Sequence, residues 1–261
     1  MALQTRAYYE KIAGELRFPN RALINGKFVD SASGKRFTTI NPANGRPITE
    51  ITSCGAEDVL AAEAAARKAF DDGRWAKMPP QERKSILLRF SQLLLEHADE
   101  LAVMESLDSG KPISDTVQGD VPDTAMTFAW YAEAIDKLED SITATDAAHM
   151  SLVVREPVGV VGAILPWNFP MQMASWKLAP ILATGNSVIV KPAKLTSLTM
   201  LRMAELAMEA GIPDGVLNVL PGSGDVIGTA LGTHPRLEAL TFTGSTAVGK
   251  RLLELSGQTN A

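Results

Sequence analysis

The chain has 261 residues, 46% of them hydrophobic and 21% charged, with a formal net charge of −5. That is enough apolar content for a sizeable core, and the balance lacks the basic excess of a nucleic-acid surface. Its single cysteine, Cys54, excludes an internal disulfide framework and fits a reducing cytoplasm, and the opening MALQTRAYYEKIAGELRF has neither a long apolar core nor a secretory cleavage pattern.

Residues 22–52 alternate short apolar runs with Asn25-Gly26, Ser33-Gly34 and Asn44-Gly45, so β-hairpins are expected. Residues 56–140 read as helical. An Ala-rich segment runs from Ala56 to a stop at Gly73. A second, from Pro79, places Ile86, Leu87, Phe90, Leu93 and Leu94 on one stripe, and a third runs from Asp123 to Asp140. MSLVVREPVGVV, from Met150, reads as extended chain. Pro157–Trp176 is free of charge but contains Pro157, Pro166 and Pro170 with Asn168 and Gln172, which suits a buried strand and turn and not a bilayer helix.

From Val158 the pattern repeats strand then helix. VGVVGAIL, NSVIVK, VLNVL and LEALTF are each followed by a helical segment: Met171–Leu182, Ser197–Glu209, Val226–Leu231 and Thr246–Leu255. Val- and Ile-rich strands alternating with helices indicate an α/β fold, a parallel sheet covered on both faces and doubly wound by default. Ligands of such sheets bind beyond the carboxyl ends of the strands. The chain thus divides into a hairpin and helical part (1–140), extended chain (141–157) and βα units (158–261).

The loops after the strands carry the candidate chemistry. In PWNFP, two prolines hold Asn168, whose amide could donate to a developing oxyanion or could simply cap the following helix. In KPAK, Lys191 could bond ribose hydroxyls or phosphate, or be a solvated surface lysine. Gly222, Gly224 and Gly228 resemble a dinucleotide loop but are one residue off the fingerprint. In FTGSTAVGK, Gly244 and Ser245 stand where a helix start favours an anion, although Ser245 or Thr246 could equally be an ordinary cap. This is no P-loop, because Arg251 stands where Ser or Thr is required. Cys54 lacks a neighbouring base, and His97, His149 and His234 offer no zinc spacing. Glu82 and Arg83 read as helix-surface charges.

In this order and spacing, VGAILPWNFPMQMASWKLAPILATGNSVIVKP, EAGIPDGVLNVLPGSG and FTGSTAVGK resemble the aldehyde dehydrogenase superfamily, as do INGKFVDSASGKRFTTINPANG and ESLDSGKPI. The resemblance runs from about Ala22 to Ala261. Within the superfamily the chain looks most like bacterial enzymes that oxidise γ-glutamyl-γ-aminobutyraldehyde or 4-guanidinobutyraldehyde in polyamine and arginine breakdown.

The resemblance implies a Rossmann-like cofactor domain, NAD or NADP as cofactor, an aldehyde substrate, and a homodimer or homotetramer of the complete protein, with residues 141–157 resembling oligomerisation strands. By position, Asn168 matches the donor to the thiohemiacetal oxyanion. Ile164, Leu165, Pro166 and Trp167 match the segment lining the cofactor. Lys191 matches the lysine at the adenosine ribose, and Gly224 and Gly228 the glycines beside the adenine half. Phe242, Gly244 and Ser245 match the pyrophosphate turn, and Val248 an adenine contact. Phe169, Met173 and Trp176 match the wall of the aldehyde tunnel. The resemblance implies no metal.

Two departures stand out. Lys194 occupies the place where NAD-preferring relatives usually carry Glu. Lys cannot accept ribose hydroxyls but can pair with a 2′-phosphate, so better use of NADP is expected. The family's general-base Glu and catalytic Cys match no residue up to Ala261, and Cys54 does not fit that motif. The chain is therefore expected to be the N-terminal portion of a dehydrogenase, with the catalytic domain absent, no turnover alone and exposed apolar patches that promote association. The alternative is a non-catalytic nucleotide-binding or interaction protein derived from the same fold.

Overall fold

Residues 2–259 are described in the computed structural model of the chain. Helix α1 (Arg6–Glu15) is capped by the Thr5 hydroxyl, which accepts the Tyr8 N–H. A hairpin follows, β1 (Ala22–Ile24) and β2 (Lys27–Val29). Asn25 and Gly26 both take positive φ, 51° and 74°, as a two-residue type I′ turn requires. Strands β3 (Arg36–Ile40) and β4 (Pro47–Thr52) form a separate antiparallel ribbon.

The helical block begins with α2 (Ala56–Asp71), which ends ahead of the expected stop at Gly73. The striped segment is two helices, α3 (Pro80–Glu96) and α4 (Ala98–Ser109), parted at His97. Leu87, Phe90, Leu93 and Leu94 are buried, as the stripe demands. A short turn of helix, α5 (Ile113–Asp115), and a π turn over Thr116–Asp120 lead into α6 (Val121–Ala134). Strands β5 (Ser141–Thr143) and β6 (Ser151–Val153) pair as an exposed ribbon with Ile142 and Leu152 open to solvent.

The βα units follow: β7 (Val160–Ile164), α7 (Pro170–Ala183), β8 (Ser187–Lys191), α8 (Leu198–Ala210), β9 (Leu217–Val219), α9 (Gly224–Gly232), β10 (Ala239–Phe242) and α10 (Thr246–Ser256). The main sheet has the order β10-β7-β8-β9-β1-β2. The βα strands are mutually parallel, and β1 joins β9 antiparallel through Leu23 and Val219. The first hairpin therefore extends the main sheet and does not stand apart from it.

Alternation along each strand sends side chains to two cores. Val188, Val190, Leu217 and Val219 pack with buried residues of α3, α4, α6, α7 and α8 on one face. Val160, Ile164 and Ile189 pack with α2, α9 and Leu252 of α10 on the other. The chain steps from β7 outward to β8 and β9, then returns to the opposite flank of β7 as β10. That reversal opens a crevice beyond the carboxyl ends of β7 and β10, the place where doubly wound sheets bind ligands.

Candidate functional site

The crevice holds a cavity of about 520 Å³. Ile164, Leu165, Pro166, Trp167 and Asn168 reach it from the end of β7, and Lys191 from the end of β8. Gly224 and Gly228 line it from α9, Phe242, Gly244 and Ser245 from the turn after β10, and Val248 from α10. Loops distant in sequence thus converge on one site. Asp225, Thr229, Arg251, Leu252 and Leu255 also line it. The strand-end rule does not reach them: Asp225 and Thr229 each follow a glycine of α9, and Arg251, Leu252 and Leu255 lie in about the second to third turn of α10, where helical spacing from Val248 is the available signal. Lys194 is not among the lining residues. Its side chain is exposed and its Nζ lies 5.2 Å from the centre of the Phe37 ring.

Lys191 is 5% exposed, its carbonyl accepts the Leu165 N–H at 3.0 Å, and its ammonium makes no hydrogen bond or ion pair with any described residue. Burial pulls its pKa down to about 8, only partly opposed by the charge of Asp225. A largely desolvated ammonium without a protein partner, set against a cavity, is costly and is expected to be retained for a ligand. A solvated surface lysine is excluded.

The two glycines of α9 leave room beside it. A Cβ on Gly224 would meet only Lys191 Nζ, at 3.7 Å, and one on Gly228 only Ile164 Cδ1, at 3.9 Å. Both sites otherwise open onto the cavity. Gly244 works differently: a Cβ there would stand 2.4 Å from the Phe242 ring, so its glycine lets that ring fold under the turn.

Two helices start at this cavity, and their charges differ. The first turn of α9 carries Asp225, whereas that of α10 has no acidic residue. Ser245 does cap α10, its hydroxyl accepting the Val248 N–H at 3.4 Å. The N–H groups of Thr246 and Ala247 find no acceptor among the described residues. Free amides at a helix start without a carboxylate nearby suit an anion, so a phosphate fits α10 and not α9. Together with the unpartnered Lys191 and the glycine cradle, these donors fit a dinucleotide.

The capping alternative for Asn168 fails. Helix α7 begins with Phe169 at its N-cap position and has no side-chain cap of its own. Its Met171 N–H instead donates to Glu105 Oε1 of α4, at 3.1 Å. The exposed Asn168 carboxamide bonds no described residue. The far end of α7 is also held from outside: Trp75 Nε1 donates to the Leu182 carbonyl at 2.9 Å and Arg83 Nε to that of Ala183 at 3.0 Å. Arg83 is therefore a capping residue for another helix, a correction to its reading as a surface charge.

Phe169, Met173 and Trp176 follow helical spacing along one side of α7. Trp176 joins Met126, Thr127, Trp130 and Tyr131 of α6 around a recess of about 400 Å³. Met126 and Trp130, four residues apart and opposite the buried Ala125 and Phe128, were the available signal for this second wall. Cys54 is buried, and desolvation pushes its thiol well above the ordinary range. It pairs with the loop after β9 through a bridge to Gly222, so it is a core residue. Among the described residues no His, Cys, Asp and Glu cluster could hold a metal, and no helix is long and apolar enough to cross a membrane.

The sequence profile of the aldehyde dehydrogenase family matches residues 28–261. An aminoacetaldehyde dehydrogenase from Pseudomonas aeruginosa is 52% identical over 258 residues, covering 99% of this chain and 52% of that protein. An NADP/NAD-dependent aldehyde dehydrogenase from Escherichia coli is 44% identical over 254 residues, covering 97% and 51%. A solved indole-3-acetaldehyde dehydrogenase complexed with NAD+ matches with a TM-score of 0.97 at 49% identity, covering 99% of this chain and 52% of that one. The chain spans about half the length of the curated relatives it matches.

Proposed function

The chain belongs to the aldehyde dehydrogenase family, and on that premise we propose that it supplies the nucleotide platform and one oxyanion donor for oxidising an aldehyde to its carboxylic acid. NAD+ or NADP+, when bound, supplies the hydride acceptor. The observation that carries this is Lys191: a largely buried lysine whose ammonium has no protein partner and faces the cavity at the switch point of the sheet.

Each residue then has a physical task. Lys191 Nζ donates to sugar hydroxyls, and the free amides at the start of α10 receive the phosphates. Val248 and Leu252 offer an apolar face to a base. Gly224 and Gly228 keep the floor open. Asn168, uncommitted to the helix cap, presents its carboxamide N–H to an oxygen on which negative charge develops. Trp176, with Trp130 opposite, offers an apolar wall for the aldehyde; Met173 lies between it and Phe169 on the same side of α7, while the Phe169 ring lines a neighbouring recess beside Lys111.

Cys54 does not serve as the nucleophile, because burial keeps it a thiol. The 261-residue chain alone therefore binds nucleotide without oxidising aldehyde. In the whole protein the β5–β6 ribbon pairs with another subunit, the setting is cytoplasmic, and the aldehyde belongs with those of polyamine and arginine breakdown; the name of the P. aeruginosa relative supports only the amino-substituted character of that aldehyde.

Trp167 lines the cavity and reports on it. Adding NAD+ should quench its emission saturably, ATP should not, and Trp167→Phe should remove the response. An NAD+ response that survives in Trp167→Phe, or none in the wild type, would place the nucleotide elsewhere. Formation of NADH by the purified chain with an aldehyde would overturn the division of labour.

A further inference from the structure

The turn from Trp167 to Met171 is gripped by side chains from three other segments, and its one polar side chain able to cap a helix, the Asn168 carboxamide, bonds none of them. The Trp167 carbonyl accepts from Thr196 Oγ1 at 3.2 Å. The Phe169 ring carries the Lys111 ammonium 3.6 Å from its centre, and Lys111 is itself paired with buried Asp120 at 2.7 Å. The Met171 N–H donates to Glu105 Oε1 at 3.1 Å.

Glu105 is fully buried, and its other oxygen accepts from Thr199 Oγ1 of α8 at 2.5 Å. One turn further along α4, Asp108 accepts the Leu198 N–H and the Thr39 hydroxyl, each at 2.9 Å. The end of α4 thus caps both α7 and α8, the helices that follow β7 and β8. Without Glu105, the buried Met171 N–H would lack an acceptor. The nearest in sequence is Asn168, three residues ahead, the spacing at which an Asn side chain caps a helix. Glu105 and Asn168 are therefore rivals for one N–H, and Glu105 holds it.

We propose that Glu105 and Lys111 are positioning residues, which occupy the capping and packing contacts of the Trp167–Met171 turn so that the Asn168 carboxamide stays free to face the nucleotide cavity. This rests on the reading of Asn168 as an oxyanion donor, but its test does not require nucleotide. Burial pushes Glu105 up to about 8, which favours its uncharged form at neutral pH. Gln reproduces both its acceptor toward Met171 and a polar contact with Thr199, whereas Leu reproduces neither.

The test uses the 261-residue chain, with the Asn168 side-chain amide signal assigned by its loss in Asn168→Ala. In Glu105→Leu that signal should move as the carboxamide turns to the cap, while the Met171 amide stays protected. In Glu105→Leu/Asn168→Ala, Met171 exchange should quicken by about tenfold, the loss of one hydrogen bond. Glu105→Gln should match the wild type on both readouts. An Asn168 signal unmoved in folded Glu105→Leu, or moved as far by Glu105→Gln, would overturn the proposal. Should Glu105→Leu not fold, Lys111→Met decides. Faster exchange confined to residues 167–169, with a shifted Asn168 signal, supports the proposal, and no change at either overturns it. Failure of the wild type to bind NAD+ would sink the functional reading while leaving these outcomes readable.

Discussion

The Lys191 ammonium faces Gly224 across the cavity floor, 3.7 Å from where a Cβ on that glycine would stand. The cation is poorly placed for stability and well placed for a ligand. Lys191→Met should therefore stabilise the fold by about 1–3 kcal/mol at neutral pH while weakening NAD+ binding by about tenfold or more. The pH dependence has a definite sign. The folded pKa is lowered from 10.5 to about 8, so between these values the unfolded chain binds more protons and stability rises with pH. The Met variant should lack that rise. Urea unfolding at neutral pH and near pH ~10 measures both effects, and a destabilised Met variant would contradict the account.

Gly228 lies inside α9, where Ala is worth up to about 1 kcal/mol more than Gly, and its new Cβ would touch only Ile164 at 3.9 Å. Gly228→Ala should raise the melting temperature and lower NAD+ affinity by about threefold, and the larger Gly228→Leu should abolish binding. Calorimetry and titration on the same samples check this. Unchanged affinity in both variants would remove the adenine half from this position.

Lys194 leans on Phe37, but an exposed lysine turns at little expense toward a 2′-phosphate. The wild type should bind NADP+ at least as tightly as NAD+. Lys194→Glu should move the ratio of dissociation constants toward NAD+ by about tenfold, one charge reversal near a phosphate. A strong NAD+ preference left unchanged by the substitution would show that Lys194 never meets the cofactor.

Glu105 makes the opposite pH prediction to Lys191. Burial raises its folded pKa from 4.5 to about 8. Between those values the native state holds the proton that the unfolded chain releases, so stability falls as pH rises through the window. Glu105→Gln should flatten that part of the profile. Parallel profiles for Gln and wild type between pH ~5 and ~8 would show that Glu105 is ionised when folded.

Much of this is legible in the sequence. Val/Ile runs alternating with amphipathic segments located β7 to β10 and their helices, and the strand-end rule picked out the loops that meet at the cavity. The contacts that decide between rival roles were not legible. Glu105 reaches Met171 across 66 positions, and no local pattern marks it as the acceptor that frees Asn168. Arg83 looks like surface charge because its partners are backbone carbonyls, those of Trp75 and Met78 nearby and that of Ala183 at the end of α7, a hundred residues away. The joining of β1 to β9 was hidden for the same reason: turn chemistry at Asn25-Gly26 specifies the hairpin but not the sheet edge it extends.

Calorimetric titration of the 261-residue chain with NAD+ decides whether the crevice beside Lys191 is a nucleotide site. Binding should be saturable at a single site, competed by ADP-ribose and lost or much weakened in Lys191→Met. No saturable binding by the folded wild type, or equal affinity in Lys191→Met, would contradict that assignment.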